Sequence, residues 1–482
     1  MFSLEKITEI VQGQLFPKKV SCSCTNTSTD SSSTITDKAY PLNVCIDSRK
    51  ADNNSIFIAI IGENNDGHKY VSDVISKNVE LIIVSDENVI TGESNFILVE
   101  DTVLALGKIA KAHLQTLNVK TIGITGSSGK TTTKDILAQL LSKAYGKECV
   151  VYPEKSFNNE IGMPLTVLKA NSDTKILLLE MGASGLGHLQ YLTEIAPLDY
   201  AIVLFVGTAH LGGFGSFESI VKAKTELVQG LKPNGVAILN LDDSSVANMQ
   251  TEVKGRSIFY SAQGEFCDIW AENIVLDDDQ HPSFELCSPA TRSTVNLPLI
   301  GKHNVVNALA ACALMSDLGH ELADIAENIS EITLLSEHRL SVQRISSGAL
   351  VIDDAYNANP DSMKAGITCL VNIANAYKKQ GEYRAIAVLG QMLELGDESD
   401  EIHADIARYI NNLQVDVVIT VGEFAKSLAD NILISKVHQC SDILDVEKLL
   451  GEYLQPNDIV LFKGSNGSRV WELADKAVKG EI

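Results

Sequence analysis

The chain has 482 residues, 45% hydrophobic and 21% charged, which is the composition of a folded protein and not of a disordered one. A single core stops growing near roughly 250–300 residues, so two or three domains are expected. The formal net charge of -23 disfavours general nucleic-acid binding, which needs basic surface against phosphates, although a local positive site for an anionic substrate is compatible with it.

The first residues, MFSLEKITEIVQGQ, interrupt their apolar pattern with Glu5, Lys6 and Glu9, unlike a signal peptide. No apolar run approaches the ~18 residues of a membrane span, so no membrane insertion is expected. The nine cysteines are scattered, and Cys22 and Cys24 form a lone C-x-C with no second pair. They read as thiols of a reducing cytoplasm. Residues 22–39 are mostly Ser, Thr, Asp and Asn, a composition that predicts a mobile surface loop. Apolar runs at 56–61 (IFIAII), 81–85 and 96–99 predict buried strands, and with the helical patterns between them a small α/β domain over 1–115.

A second α/β series covers 116–334. Its strand candidates are 119–125, 176–180, 200–206 and 235–240, separated by helical patterns at 131–144 and 217–231 and followed by a helix over 303–318. A third series over 335–482 has strand candidates at 349–353, 385–389, 415–421 and 458–462. Alternating strand and helix predicts parallel sheets covered on both faces. The expected fold class is therefore α/β with three domains: a small N-terminal domain, a central P-loop ATPase-like domain and a C-terminal Rossmann-like domain.

The strongest local signal is GITGSSGKTTTKDIL, residues 123–137. A strand runs into a loop of Gly126, Ser127, Ser128 and Gly129, then Lys130, Thr131, Thr132 and a helix. The glycines let backbone N–H groups turn toward a phosphate, and the helix start adds orphan donors and a positive dipole end. Lys130 can reach the β- and γ-phosphates, and the Thr131 hydroxyl can bind magnesium. The first glycine of a full Walker A motif would fall at Ile124, so only the shorter G-x-x-G-K-T form is present.

Glu180 ends an apolar strand in LLLEMGAS, where a carboxylate can face a ligand crevice or simply solvent. His210 follows another buried strand, and Lys224 lies on a helical pattern in IVKAKTEL. Taken singly, the histidine reads as structural and the lysine as a surface residue. Asn158 and Asn159 sit beside a glycine in KSFNNEIGMPL, which alone reads as a turn. His303, Asn304 and Asn307 open an Ala-rich helix, with His303 and Asn307 on one face. DDAYNANPDSM, residues 353–363, follows a strand with Asp354, Tyr356, Asn357 and Asn359 in a loop that can face a ligand.

These motifs, in this order, resemble those of the Mur ligase family, and most closely its MurF branch, over about residues 40–475. TGSSGKTTT resembles the family's nucleotide loop. LEMGAS, AHLGGFGS and KAKTE are similar to its metal-binding segments. GKHNVVNALAA, EHRLSVQR, DDAYNANPDSM, VLGQMLELGDES and VLFKGSNGSR resemble the signatures of the later domains, and CIDSRK followed by DGHKYV resembles the first-domain pattern. The resemblance implies an ATP-dependent amide-bond-forming ligase that adds D-alanyl-D-alanine to UDP-N-acetylmuramoyl-tripeptide through an acyl phosphate. It implies Mg²⁺ held by Thr131, Glu180 and His210, and a carbamate formed from CO2 on Lys224 as a further metal ligand. Lys130, Lys224, His210 and Glu180 would be catalytic. His303, Asn304, Asn307, Arg339 and Asp354 would join residues 126–132 around the nucleotide. Ser48, Arg49, Asn158, Asn159, Tyr356, Asn357, Asn359, Lys463 and Ser465 would contact the other substrates. A cytoplasmic monomer is expected.

The chain departs from the family pattern at Phe205, Gly212, His338, Gln391 and Asn466; at 338 the usual residue is glycine, and at 466 it is arginine. Two other ligases remain as rivals, one adding a single amino acid and one acting on folates. A non-catalytic nucleotide-binding scaffold is a rival of another class.

Overall fold

The computed structural model describes residues 2–19, 39–40, 43–62, 65–207, 214–333, 335–423 and 425–482. The expected loop over 22–39, Cys22 and Cys24, His210 and Gly212 fall outside them, apart from residue 39. The chain divides into two compact units. One comprises Met1–Thr121, Glu148–Met181 and Tyr191–Pro197; the other comprises Ile122–Lys147, Gly182–Gln190 and Leu198–Ile482.

The first unit carries a five-stranded sheet of β1 (Gln14–Phe16), β2 (Asn43–Cys45), β3 (Ser55–Ile58), β4 (Leu81–Val84) and β5 (Asn95–Leu98), in the order β1-β5-β4-β3-β2. Only β1 runs antiparallel to its neighbour. SIFI and LIIV are buried at every position, as strands covered on both faces must be. Phe57, Ile82, Val84 and Phe96 form the core on one face. Helix α1 (Leu4–Val11) is capped by the Ser3 hydroxyl, and α2 (Thr102–Leu114) by Asp101, whose carboxylate accepts from two backbone N–H groups. The same unit holds Ile176–Glu180, paired in parallel with Val150–Val151.

The second unit contains two sheets. In chain order the first is built from β6 (Lys120–Thr125), β7 (Leu198–Val203), β8 (Leu231–Asn240), β9 (Arg256–Ser261), β10 (Ile269–Leu276), β11 (Pro282–Cys287) and β12 (Arg292–Asn296). Strands β6 to β10 pair in parallel in the order β6-β7-β8-β9-β10. Strands β11 and β12 then continue the sheet antiparallel, an extension that the apolar runs did not signal. The reason lies in β10, whose burial starts continuous and then alternates, because its far half lies over one covered face only. The helices of this unit include α3 (Lys130–Tyr145), α4 (Phe217–Gln229) and α5 (His303–Asp317). These are the segments where the periodicity places them.

The second sheet consists of β13 (Ser341–Arg344), β14 (Leu350–Asp353), β15 (Arg384–Gly390), β16 (Val417–Val421), β17 (Lys436–Cys440) and β18 (Asp458–Lys463), in the order β13-β14-β18-β15-β16-β17. All but β13 are parallel. Two separate apolar clusters cover its faces, one including Met363, Ile367 and Leu370 of α6 (Pro360–Lys378) and Ile406 of α7 (Ser399–Ile410), the other Val470, Leu473 and Ala474 of α8 (Val470–Lys479). No helix among the described residues is long and apolar enough to cross a membrane.

Candidate active site

The phosphate loop is the turn between β6 and α3. Gly129 is the N-cap of α3, with φ +83, a conformation that costs glycine little. A Cβ there would lie 2.2 Å from Asn307 Oδ1, so glycine also permits the close approach of α5. Ser127 is buried: its N–H donates to Phe205 O, and its hydroxyl accepts from Gly207 N–H at 2.9 Å. Lys130 folds back over the loop and its Nζ donates to Gly126 O at 2.7 Å. Thr131 is buried in the first turn, while Ser128 and Thr132 are partly exposed.

The start of the last domain meets this loop. An Arg339 Nη donates to Thr131 Oγ1 at 3.2 Å, and its guanidinium lies 3.9 Å from the Tyr356 ring centroid. Asn359 Nδ2 donates to Ser127 O at 3.4 Å. Asn359 is also the N-cap of α6, in a reciprocal capping box with Ser362 and with Pro360 at the first helical position. The DDAYNANPDSM stretch is thus a helix start whose loop is pinned at both ends.

Lys463 is 1% exposed and ends β18 beside the end of β14. Its Nζ lies 2.5 Å from Asp354 Oδ2 and also donates to Asn357 O at 3.3 Å. Ser465 joins three loops: its Oγ accepts from Leu393 N–H at 2.9 Å and donates to Ala358 O, and its N–H donates to Gln391 O. Gln391 packs its side chain against Gly422. Asn466 begins a short turn, and the arginine that follows it, Arg469, is exposed and paired with Glu472.

Lys224 is buried on α4. Burial, with Lys130's charge adding, pulls its ammonium down to about 7. The expectation of a surface lysine for that residue taken singly is therefore corrected: the helix turns it inward. Asn304 Nδ2 donates to Ile300 O, and Asn307 Nδ2 to Asn304 Oδ1, so two buried amides brace the start of α5 at His303.

In the first unit, Glu180 is 1% exposed, and Asn158 Nδ2 donates to its Oε1 at 2.9 Å. Asn159 Oδ1 accepts from Gly162 N–H, and a Cβ on Gly162 would lie 2.6 Å from Phe157 Cα. FNNEIGMPL is therefore a close-packed turn that presents Asn158 to the carboxylate. Arg49 is exposed and paired with Asp47, whose carboxyl it holds down at about 2, while Lys77 Nζ donates to Ser48 O and Arg49 O.

Three residues not singled out in the sequence support these loops. His403 is buried, accepts Met392 N–H at Nε2 and donates from Nδ1 to Ser399 O. Asp361 packs against the loop at Gly207, where a Cβ would lie 2.2 Å from its Oδ2. His68 accepts Ser85 N–H at Nε2 and pairs through Nδ1 with Asp66, fixing the DGH turn. A Cβ on Gly67 in that turn would meet the Ile60 backbone at 2.8 Å.

Residues 124–315 match the Mur ligase middle domain, and residues 338–466 match the family described as "Mur ligase, glutamate ligase domain". The chain belongs to the Mur ligase family. A Mur ligase of Haemophilus influenzae named UDP-N-acetylmuramoyl-tripeptide–D-alanyl-D-alanine ligase is 33% identical over 89% of this chain and 93% of that one. Among solved Mur ligases, MurF from Acinetobacter baumannii superposes with a TM-score of 0.85 at 29% identity, covering 99% of each chain. MurF from Thermotoga maritima, solved in complex with ADP, gives 0.77 at 28% identity, covering 92% of this chain and 99% of that one.

Proposed function

We propose that this Mur ligase joins D-alanyl-D-alanine to UDP-N-acetylmuramoyl-tripeptide with ATP, in the synthesis of peptidoglycan precursors. The observation that carries the reading is the meeting of the phosphate loop with two later segments: Arg339, stacked on Tyr356, reaches Thr131, and Asn359 of the 353–363 loop reaches Ser127. A scaffold would need the phosphate loop alone.

The reaction has two steps. The tripeptide's terminal carboxylate attacks the γ-phosphorus of ATP; the bond to the β-phosphate oxygen breaks, leaving ADP and an acyl phosphate. The dipeptide amine then attacks the acyl carbon, phosphate leaves, and the amine loses a proton. Both steps gather anions, so electrostatic stabilisation dominates the chemistry. Lys130 supplies positive charge at the loop, the N–H groups of the loop and of α3 cradle phosphate oxygens, and Arg339 adds a planar fork. Lys463 holds Asp354 and the Asn357 carbonyl in place, so the tip that carries Tyr356 and Asn357 is set for substrate. Ser48 and Arg49 are proposed contacts for the uridine diphosphate end, and Asn158 and Asn159 for the reacting end.

The donors suit magnesium, which prefers hard oxygen ligands. Glu180 is a buried carboxylate oriented by Asn158, and Thr131 offers a hydroxyl next to the phosphate lysine. His210 is the third proposed ligand. The ion, when bound, would offset phosphate charge. Lys224, with its ammonium drawn to about 7, is suited to react as the free amine with CO2: a C–N bond forms, a proton leaves to water, and a buried cation becomes an anion. The chain is further proposed to act as a cytoplasmic monomer without nucleic-acid partners.

Mass spectrometry of the product tests the assignment. A precursor heavier by the dipeptide less water is expected. Transfer of a single amino acid instead would place the chain in another branch of the family.

A further inference from the structure

Arg339 sits between two residues with left-handed backbone, His338 at φ +58 and Leu340 at φ +54. Residues other than glycine are uncommon in this region, and a bulky one such as leucine is an outlier there, so the turn persists only where its surroundings impose it. They do so from three sides. His338 Nδ1 lies 2.8 Å from Asp353 Oδ2, at the end of β14. Its carbonyl accepts Tyr356 N–H at 3.1 Å, and its ring packs 5.9 Å from that of Trp471. Leu340 is buried in the core over α6. The backbone between these anchors delivers the Arg339 guanidinium onto the Tyr356 ring and to Thr131 Oγ1.

The sequence pattern this chain resembles has glycine at position 338, which takes a positive φ without strain. Here a side chain occupies that conformation and is tied down by a carboxylate. We propose that His338 is a positioning residue for nucleotide binding: anchored on Asp353, it holds the left-handed turn that brings Arg339 to the phosphate loop. The inference rests on the reading of residues 126–131 as a nucleotide site and deepens it.

Calorimetric titration of the full chain with Mg·ADP tests it, using His338→Ala, His338→Gly, Arg339→Ala and the double variant His338→Ala/Arg339→Ala. His338→Ala keeps the strain and loses the anchor; it is expected to weaken ADP binding about 10-fold, the size of one hydrogen bond to a charged group. His338→Gly takes the same φ freely and is expected within about threefold of the parent. The double variant is expected to bind no more weakly than Arg339→Ala alone, because both act through one guanidinium. In steady state, His338→Ala raises KM for ATP and leaves KM for the other substrates unchanged. Parental affinity in His338→Ala, or additive losses in the double variant, would overturn the proposal. If His338→Ala does not fold, Asp353→Ala removes the anchor with the ring in place, and unchanged ADP affinity there overturns it equally. A parent that binds ADP but ligates nothing contradicts the proposed reaction and leaves the role of His338 standing. A parent without ADP affinity overturns both.

Discussion

Lys463 Nζ and Asp354 Oδ2 lie 2.5 Å apart at the ends of two adjacent parallel strands, with the lysine only 1% exposed. A charge removed from water to that extent is tolerated only because its partner is fixed by the neighbouring strand. Lys463→Met strands the Asp354 charge, and the expected cost is about 3 kcal/mol, as for breaking other buried pairs. Urea denaturation measures it. A loss below about 1 kcal/mol, the level of an exposed pair, would show that the pair is solvated in solution.

Gly129 predicts a coupled defect. Gly129→Ala forces a Cβ to within 2.2 Å of Asn307 Oδ1 at a φ of +83. A cost of about 1–3 kcal/mol in stability is expected from the backbone alone, together with loss of ADP affinity. Shortening the neighbour, in Gly129→Ala/Asn307→Ala, is expected to recover the steric part and not the backbone part. Thermal denaturation of Gly129→Ala, Asn307→Ala and the double variant separates the two contributions.

Lys224→Ala is expected to fold and to lose about 100-fold or more in turnover, the scale of removing one electrostatic element of an active site. Small carboxylates such as formate are expected to restore part of the rate in Lys224→Ala, if a carbamate is what the site uses. Full turnover in the alanine variant would remove Lys224 from the chemistry.

His403 gives a dependence on pH. Its folded pKa is lowered from 6.5, chiefly by burial, and its Nε2 is occupied as an acceptor of Met392 N–H. Below pH 6.5 the unfolded chain therefore binds a proton there that the fold resists, so this residue makes stability fall as pH drops through 6.5. Above 6.5 it has no such effect. His403→Gln is expected to flatten that acid limb in denaturation curves recorded between pH 5 and 8, and an unchanged slope would assign the limb to other groups.

Legibility in the sequence followed the range of the interactions. The phosphate loop is local: strand, glycines, Lys130, Thr131 and helix are contiguous, and the structure places them so. The parallel strands were visible because burial on both faces leaves continuous apolar runs such as LIIV at 81–84. The β10–β12 extension was not, since one-sided strands of five to eight residues give only weak alternation. Nor was the turn between β10 and β11, where Asp279 accepts Tyr377 OH and Gln280 accepts Asn372 N–H from α6, contacts spanning more than 90 residues. Lys224 reads as a surface residue from its own helix, and only its place in a motif series pointed inward. Asp361 acts on a loop distant in sequence, at Gly207, so no spacing could have announced it. His403 acts on Met392, only 11 residues before it, but across a turn that no helical or strand period spans.

The most direct test of the central claim is phosphate release from Mg·ATP by the full chain in the presence of UDP-N-acetylmuramoyl-tripeptide, with and without D-alanyl-D-alanine. Release that rises on adding the dipeptide, in step with formation of the heavier precursor, is the predicted result. Release unaffected by the dipeptide, or none in a preparation that binds ADP, would contradict it.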